Sequence, residues 1–407
     1  MTDRSRRLAY DILKDVEAEN AYSNILLNER LQGEEGADPA LVRRLVHGVL
    51  NNQILLDYQI RRFLRKSGLK RSARILLRLG FYQLAFCEDI PNYTAVDETV
   101  AVAKDVMKGG EGFINAVLRS FARSGCEILL PDDPLEALSV RYSVQPWIAK
   151  LWLKSYGQEK AEFLLTNSLE PAALNLRPNP LKTEKQAGFD LENGIAASKD
   201  YKNGLFSIQD ASALEAVRVL DPKPGEKVLD LCSAPGGKTC AMAERMENKG
   251  SILACDIHAG KLDLVKKEAK RLGISIIRIC ARDGSAELPG EEKGAYDAVL
   301  CDVPCSGLGV LRRKPEIKLR LQPEDIEALL PLQAAILRNA GEAVRPGGRL
   351  LYSTCTADPA ENEDMTNTFV SDGRFEVLSQ RQIFTGEPVN GSPGDGFYYC
   401  LMRKKDL

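Results

Sequence analysis

The sequence predicts an all-α N-terminal bundle, a small mixed α+β region after it, and a doubly wound α/β domain with a Rossmann-like sheet. Apolar residues recur at helical spacing through the first 130 positions, which is typical of amphipathic helices packed in a bundle. From Gly225 onwards, short apolar runs, turns and helical stretches alternate, and such alternation favours a parallel sheet with helices on both faces. With 407 residues, the chain is long enough for several separate cores.

The helical part is predicted to contain five to seven helices in an independent module. The stretch 74–86 is apolar on most sides, so we expect it to be the central helix of the bundle. A Pro-Asp-Asp-Pro run at 131–134 is a boundary signal, and helical spacing resumes from Leu138 to Leu165. The helices predicted for the bundle cover residues 7–16, 25–31, 41–56, 74–86, 96–106 and 113–121.

The mixed region contains two short predicted strands, at 173–179 and 204–208. We predict three domains, which cover residues 1–130, 131–215 and 216–407. The last domain is predicted to end in an antiparallel strand pair. Its predicted strands are 227–231, 251–255, 274–280, 296–301, 348–353, 375–378 and 396–402, and its predicted helices begin at Lys238 and cover 259–272 and 328–343.

The composition is that of an ordinary globular protein, with 44% hydrophobic residues, 28% charged residues and a formal net charge of −2. No run of about 18 apolar residues occurs, so a membrane span is not expected. Residues 1–7 lack the apolar segment of a secretory signal. We therefore expect a cytoplasmic protein, and we expect it to be a monomer.

The ten cysteines include no C-x-x-C pair, and His47 and His258 are the two histidines of the chain. Without a secretion signal the cysteines are expected to be reduced, and this ligand spacing predicts no metal site. The shortage of histidine also argues against Ser-His-Asp catalysis. If the protein is an enzyme with a nucleophile, cysteine is the better candidate.

Two basic clusters favour a polyanionic substrate such as nucleic acid. Residues 61–78 include eight basic side chains and no acid, although a solvated helix face is the alternative interpretation. The near-neutral net charge does not exclude nucleic acid, because the distribution of charge matters more than its sum. The second cluster consists of Arg312, Arg313, Lys314, Lys318 and Arg320.

A Ser-Ala-Pro-Gly-Gly-Lys turn at 233–238 follows the first predicted strand of the parallel sheet. A glycine-rich turn at this place suits an adenosine-containing cofactor. The turn is neither G-x-G-x-x-G nor a phosphate loop, so a dinucleotide is disfavoured. Carboxylates follow the next strands. Asp256 is placed to accept ribose hydroxyls and Asp283 to meet an adenine amino group, and Asp302 completes the set of polar side chains around the expected pocket. A carboxylate-lined pocket without a phosphate-binding element favours a sulfonium cofactor.

The run 299–307 predicts a buried strand that ends in a rigid turn. Ligands bind beyond the carboxyl ends of such strands, so Asp302 and Cys305 are candidates for the site, and Cys305 at first looks like the catalytic thiol. Cys355 follows the next predicted strand. If the sheet order is as predicted, the two thiols lie on adjacent strand ends. The alternative for Cys355 is a small buried apolar residue.

Three motifs of this domain resemble those of the Sun-type RNA 5-methylcytosine methyltransferases. They are DxCSAPGGKT at 230–239, DVPCSG at 302–307 and STCT at 353–356. The first 130 residues are similar to the RNA-binding domain of the antitermination factor NusB. Together they point to the Fmu/Sun group, which acts on bacterial small-subunit ribosomal RNA, and the resemblance covers nearly the whole chain. One departure is Arg177-Pro178-Asn179, where the family more often has Arg-Val-Asn.

The resemblance implies a class I methyltransferase that transfers a methyl group from S-adenosyl-L-methionine to C5 of a cytosine in RNA, with 16S ribosomal RNA favoured. It implies that Cys355 attacks C6 and that Cys305 assists product release, and we expect Asp302 to contact the cytosine or the cofactor. The alternatives are transfer RNA as the substrate, an RNA-binding protein without catalysis, and a disfavoured nicotinamide dehydrogenase. The implied cofactor contacts are Cys232, Ser233, Ala234, Pro235, Gly236, Gly237, Lys238, Asp256, Asp283 and Asp302.

Overall fold

The chain folds into two units in the computed structural model, which describes residues 3–19, 21–65, 68–184, 187–191, 194–195 and 197–406. The first unit joins residues 1–171 with the segment 311–320, and the second unit joins residues 172–310 with residues 321–407. The region 131–215 is thus divided between the two units. The domain boundaries near 130 and 215 stay predictions.

The first unit is a helical bundle, as the apolar spacing predicts. Its residues pack around one large apolar core drawn from α1 to α7, with Leu319 of the later segment packed against it. Its helices are α1 (Arg4–Glu19), α2 (Ser23–Leu31), α3 (Pro39–Asn51), α4 (Gln53–Arg61), α5 (Arg71–Phe86), α6 (Asn92–Val106), α7 (Glu111–Arg123), α8 (Pro134–Tyr142), α9 (Pro146–Asn167, broken at Gly157) and α14 (Ile317–Arg320).

The prediction that 74–86 forms the central helix is confirmed. Helix α5 packs against α1, α3, α4, α6 and α7, and its Phe81 stacks on Phe121 with ring centroids 4.1 Å apart. The prediction of one helix over 41–56 is wrong, because α3 ends at Asn51 and α4 starts at Gln53. Asn52 between them has φ −112° and ψ 16°, which are not helical angles. Side-chain spacing alone does not reveal this change of direction, since both helices bury apolar residues.

The boundary signal at 131–134 marks the start of α8. The Asp133 side chain accepts a hydrogen bond from the Glu136 backbone N–H at 2.8 Å, and Pro134 occupies the first helical position. An N-cap acid followed by proline is a strong helix start, because the proline lacks an N–H that the first turn would leave unpaired.

The second unit alternates strands and helices, as predicted. Its helices are α10 (Lys199–Lys202), α11 (Ala211–Leu220), α12 (Gly237–Arg245), α13 (Ala259–Leu272), α15 (Pro323–Ala343) and α16 (Glu363–Val370), with a 3₁₀ turn at Gly290–Glu292. Its strands are β1 (Leu176–Pro178), β2 (Phe206–Ile208), β3 (Lys227–Asp230), β4 (Ser251–Asp256), β5 (Ile277–Ala281), β6 (Tyr296–Asp302), β7 (Val344–Thr354), β8 (Phe375–Ile383), β9 (Pro388–Val389), β10 (Ser392–Pro393) and β11 (Phe397–Lys404).

Seven strands form one sheet in the order β5-β4-β3-β6-β7-β11-β8. The first five are parallel, and β11 pairs antiparallel with both β7 and β8. The predicted parallel sheet and its terminal antiparallel pair are confirmed. The central strands carry continuous apolar runs because apolar cores lie on both faces of the sheet. Strand order reverses between β3 and β6, and ligands of doubly wound sheets bind at such a point.

A small antiparallel pair, β1 and β2, precedes the sheet. The departure at Arg177-Pro178-Asn179 does not prevent this strand, because Pro178 lies at its end. The Asn179 amide donates to the carbonyls of Gly204 and Leu272, each at 2.9 Å. Arg177 is buried and bonds to both carboxylate oxygens of Glu244 at 2.9 Å. The pair is therefore fixed to the sheet domain by polar side chains.

Candidate active site at the carboxyl edge of the sheet

Polar side chains collect where the parallel strands end. Asp230, Asp256, Asp302 and Thr354 are the last residues of β3, β4, β6 and β7. Because parallel strands share one carboxyl edge, these side chains come to the same side of the sheet. The loops that follow them carry the candidate residues of the sequence motifs.

The loop between β3 and α12 is held by backbone hydrogen bonds. The Ser233 N–H donates to the Cys255 carbonyl at 2.8 Å, and the Gly236 N–H donates to the Ser233 carbonyl at 2.7 Å. Gly236 has φ 105°, and a Cβ built on it would lie 3.1 Å from the Val265 Cα. Glycine is required there because an L side chain rarely adopts this φ and would press on the α13 backbone.

A cavity of about 160 Å³ adjoins this loop. Three polar atoms among its lining residues are buried and have no hydrogen-bond partner in the described part of the chain: Gln209 Nε2, Asp230 Oδ1 and Ser233 Oγ. Buried polar atoms are seldom left unpaired, so a ligand with both donors and acceptors suits this cavity. Its lining is Gln209, Ala213, Asp230, Cys232, Ser233, Ala234, Pro235, Gly237, Lys238, Leu300 and Asp302.

Asp230 is the most deeply buried carboxylate of this cavity, at 1% exposed. Burial raises the pKa of Asp230 to about 7, although a 2.7 Å hydrogen bond from the Thr239 hydroxyl opposes the rise. A cationic group of a ligand would relieve the cost of burying this charge. Sequence reasoning did not single out Asp230 as a site residue, because an acid inside a strand motif gives no sign of its burial.

Lys238 and Asp302 form an ion pair across the cavity. The Lys238 Nζ lies 2.7 Å from Asp302 Oδ2, and the Ser353 hydroxyl donates to Asp302 Oδ1 at 2.7 Å. Burial alone would lower the pKa of Lys238, but the charge of Asp302 and the hydrogen bond to it raise that pKa overall. Lys238 therefore carries a fixed positive charge at neutral pH.

The two candidate thiols lie together. Cys305 Sγ and Cys355 Sγ are 3.4 Å apart, and the Cys355 backbone N–H donates to Cys305 Sγ at 3.3 Å. They follow β6 and β7, which pair directly with Asp302 opposite Ser353. The predicted adjacency of the two strand ends is confirmed. The hydrogen bond with Cys355, burial, and the negative charges of Cys355 and Glu361 raise the pKa of Cys305 well above its usual value.

Asp256 and Asp283 do not line this cavity. Asp256 accepts hydrogen bonds from the backbone N–H groups of Ala234 at 3.2 Å and His258 at 2.9 Å, so it joins the loop to the start of α13. Asp283 is exposed and accepts both the N–H and the hydroxyl of Ser285. Their contacts with a ligand stay predictions.

The basic cluster 312–320 is not the exposed surface that the sequence predicts. Lys318 is 0% exposed and donates to the Asn51 carbonyl at 2.8 Å. Arg320 donates to the Val16 carbonyl at 2.6 Å, and Arg312 is also buried. Lys318 and Arg320 attach the segment to the helical unit, so the cluster as a whole is not a binding face.

The basic cluster 61–78 is partly structural. Arg78 is buried and pairs with Asp57 and with Glu17, so it is not available to a ligand. Exposed members include Arg61, Arg62, Arg65 and Lys70. Lys66 lies outside the described residues.

In the described part of the chain, no helix is long and apolar enough to cross a membrane. Among these same residues, no group of three or more histidine, cysteine or acidic side chains is placed to hold a metal ion.

Comparisons with known proteins agree with both units. Residues 217–400 match the family model of the 16S rRNA methyltransferase RsmB/F, and residues 3–123 match that of the NusB family. The crystal structure of PH0851 is similar in fold, with a TM-score of 0.79 and 23% identity, and the match covers 99% of this chain and 100% of that one.

Curated relatives match over almost the whole length. A probable ribosomal RNA small subunit methyltransferase B of Bacillus subtilis is 36% identical, covering 98% of this chain and 98% of its own. A protein of the same description from Synechocystis is 34% identical, covering 90% of this chain and 89% of its own. Identity at this level over nearly the full length identifies the family. The chain belongs to the family of ribosomal RNA small subunit methyltransferase B.

Proposed function

We propose that this protein transfers a methyl group from S-adenosylmethionine to C5 of a cytosine in small-subunit ribosomal RNA, through a covalent bond between Cys355 and C6. The observation that carries the proposal is the pair of thiols, 3.4 Å apart at the ligand-binding edge of the sheet. Family membership supports methyl transfer to ribosomal RNA. The pair of thiols supports the choice of C5, because that position needs covalent activation.

The cavity suits S-adenosylmethionine because its unpaired polar atoms can pair with the donors and acceptors of that cofactor. The buried Asp230 Oδ1 would accept a hydrogen bond from the methionyl ammonium, and Gln209 Nε2 would donate to an acceptor of the ligand. The loop 232–238 would hold the adenosyl group, with Asp256 and Asp283 as further predicted contacts. When bound, S-adenosylmethionine supplies an electrophilic methyl group on a sulfonium.

Cytosine C5 is too weak a nucleophile to take that methyl group directly. When a thiolate bonds to C6, the C5–C6 double bond is replaced by a C4–C5 double bond, which makes the ring an enamine. Its C5 can then take the methyl group, with S-adenosylhomocysteine as the leaving group. Loss of the C5 proton and cleavage of the C6–S bond restore the double bond and free the thiolate. The protein must therefore supply a thiolate and a proton acceptor beside the same ring.

The charges around the two thiols are asymmetric. The Lys238 ammonium interacts favourably with a thiolate at Cys355, whereas the Glu361 carboxylate opposes ionisation of Cys305. A neighbouring cation favours a thiolate and a neighbouring anion disfavours it. The asymmetry supports Cys355 as the nucleophile and Cys305 as a thiol in the resting enzyme.

The same charges explain how Cys305 can act in product release. An anionic Cys355 is one reason for the high pKa of Cys305, and that charge vanishes when Cys355 bonds to C6. Cys305 can then lose its proton to solvent water, and the resulting thiolate accepts the C5 proton. Asp302, held by Lys238 and Ser353, would orient the cytosine or the cofactor.

The RNA must present an unpaired or flipped cytosine, because a base within a stem cannot reach the strand ends. Basic side chains bind the RNA backbone independently of sequence. Exposed arginines of the helical unit, Arg61, Arg62 and Arg65, are the proposed contacts.

The test is a methyl-transfer assay with radiolabelled S-adenosylmethionine on small-subunit ribosomal RNA and on transfer RNA, with product nucleosides identified by mass spectrometry. Cys355→Ala is expected to abolish 5-methylcytosine formation. Cys305→Ala is expected to accumulate a covalent protein–RNA adduct that survives a denaturing gel. Cys280→Ala, a thiol on β5, is the matched control and should behave as wild type.

Near-normal turnover by Cys355→Ala would refute its assignment as the nucleophile. Methylation of transfer RNA but not of ribosomal RNA would show that transfer RNA is the substrate. RNA binding without any methyl transfer would leave an RNA-binding protein without catalysis, which is a further alternative that the sequence leaves open.

A further inference from the structure

The residues that follow the two thiols are joined by a buried hydrogen bond. Ser306 comes after Cys305 and Thr356 comes after Cys355, and their hydroxyl oxygens lie 2.7 Å apart. Ser306 is 6% exposed and Thr356 is 0% exposed. The loops after β6 and β7 are thus connected directly behind the thiols.

One carboxylate organises this connection. Glu361, 0% exposed, accepts the Ser306 backbone N–H at 2.9 Å and is hydrogen-bonded by the Ser306 hydroxyl. It also accepts the Gln333 side-chain amide at 2.8 Å. The same Gln333 amide donates to the Pro304 carbonyl at 3.0 Å, one residue before Cys305. The loop that carries Cys305 is therefore bound to Glu361 on both sides of the thiol.

Glu361 is itself held by β7, the strand that precedes Cys355. The Tyr352 hydroxyl, on β7, donates to the Glu361 carbonyl at 2.7 Å. Next to it, the Thr354 hydroxyl bonds to Asn362 Oδ1 at 2.5 Å. The Glu361 carboxylate thus has a fixed position relative to Cys355. Because it also binds the loop that carries Cys305, it fixes the position of Cys305 relative to Cys355.

A buried carboxylate is expensive unless donors compensate its charge. A charged acceptor also makes stronger hydrogen bonds than a neutral one, so a carboxylate suits a position that must hold the Cys305 loop firmly. Three donors, the Ser306 N–H, the Ser306 hydroxyl and the Gln333 amide, surround the Glu361 carboxylate and compensate its charge.

We propose that Glu361 is a positioning residue for the reaction, which holds the Cys305 loop against the Cys355 loop so that Cys305 can act on the adduct formed by Cys355. The inference rests on the proposed function, and it concerns the release half of the reaction. Glu361 touches neither substrate nor cofactor in this role; it acts through Ser306 and Gln333.

Glu361→Gln replaces one carboxylate oxygen with an NH2 group, which would face hydrogen-bond donors. The Ser306 N–H, the Ser306 hydroxyl and the Gln333 amide then lose a charged acceptor. Hydrogen bonds to a neutral amide are weaker, so the Cys305 loop should move away from Cys355. A displacement of about 1 Å costs about 100-fold in rate, so kcat should fall by about that factor. The value of kcat/KM for RNA should stay unchanged, because the slowed step follows methyl transfer. The covalent protein–RNA adduct should accumulate, as with Cys305→Ala, and the double variant with Cys355→Ala should lose it.

Glu363→Gln is the matched control, since it makes the same chemical change two residues away. A merely structural role of Glu361 would reduce S-adenosylmethionine binding and adduct formation together. The positioning role predicts unchanged cofactor affinity with more adduct. Ser306→Ala keeps the Glu361 charge, removes the hydroxyl link, and should change the adduct level in the same direction by a smaller factor.

A second readout needs no RNA. Oxidised glutathione exchanges with neighbouring thiols: the two protein thiols form a Cys305–Cys355 disulfide, and each disulfide formed releases two molecules of reduced glutathione. The two protein sulfurs, 3.4 Å apart, need a small approach to reach bonding distance. Disulfide formation should be fast in wild type and in Glu363→Gln, and at least about ten-fold slower in Glu361→Gln, as measured by mass spectrometry.

The outcomes separate the inference from the proposed function. If Cys305→Ala traps an adduct and Glu361→Gln does not, the positioning role is refuted and the proposed function stands. If Cys305→Ala traps none, the assignment of release to Cys305 fails, and the oxidation rates alone decide whether Glu361 positions the thiols. Equal oxidation rates in wild type and Glu361→Gln would overturn the inference.

Discussion

Replacing Lys318 with methionine should remove a pH-dependent contribution to the stability of the helical unit. The Lys318 ammonium is fully buried and donates to the carbonyls of Asn51 and Tyr142, the last residues of α3 and α8. Helix C-termini attract cations. Burial nevertheless lowers the pKa of Lys318 from 10.5 to about 7, because the ammonium has lost its water.

The sign and size follow from proton linkage. Between pH 7 and 10.5 the unfolded chain keeps the Lys318 proton and the folded chain releases it, so a rise in pH stabilises the folded state. Below pH 7 both states are protonated, and the full cost of the buried charge is present without further slope. At about 1.4 kcal/mol per pH unit, with half-titration near pH 7, the gain from pH 7 to pH 9 is about 2 kcal/mol.

Tryptophan fluorescence during urea denaturation reports the unfolding of the helical unit, which contains Lys318. The chain has two tryptophans, and both Trp147 and Trp152 lie in α9 of the helical unit. The stability of wild type relative to Lys318→Met should rise by about 2 kcal/mol from pH 7 to pH 9. Lys150→Met, an exposed site on α9, should follow wild type. Parallel pH profiles for wild type and Lys318→Met would refute the reasoning.

Three further predictions concern the rest of the chain. Gly236→Ala should weaken S-adenosylmethionine binding about ten-fold or more, since a left-handed non-glycine residue costs about 1–3 kcal/mol; calorimetry with Gly260→Ala as control checks it, and equal affinities would contradict it. Arg177→Met should lower the unfolding free energy by about 3–5 kcal/mol, because the Glu244 carboxylate would stay buried without its partner; denaturation midpoints test this, and adding Glu244→Gln should restore part of the loss. Charge reversal of three exposed arginines, in the triple variant Arg61→Glu, Arg62→Glu and Arg65→Glu, should weaken RNA binding and flatten its salt dependence. Filter binding at several salt concentrations measures both effects. Unchanged binding would mean that the cluster is a solvated helix face.

Much of the fold was predictable from local patterns. The alternation of apolar runs and turns after Gly225 located the strands of the main sheet, and their pairing brought Asp302 opposite Ser353. The sequence predicted a boundary at the Pro-Asp-Asp-Pro run, and the structure shows the start of α8 there, with a cap made by adjacent residues. The split of the predicted helix 41–56 was not visible, because a bend at Asn52 leaves the apolar spacing on both sides intact.

The candidate site was predictable in part. The cysteine motifs identified Cys305 and Cys355, and the predicted sheet order correctly brought their strand ends together. Glu361 was not recognised, since its burial and its bond to Ser306 depend on a residue 55 positions away. Asp230 was overlooked for the same reason, because only the packed sheet leaves its second oxygen buried and unpaired.

The sequence alone determined which segments become strands and helices and which residues can carry the chemistry, because periodicity, turns and motif residues are local properties. Only the tertiary structure decided which charges are solvated. Lys318 read as part of a basic surface, yet it is buried against Asn51, 267 positions away in the chain. Burial is set by contacts between distant segments, and for that reason the same lysine that the sequence assigned to RNA is part of the structural core.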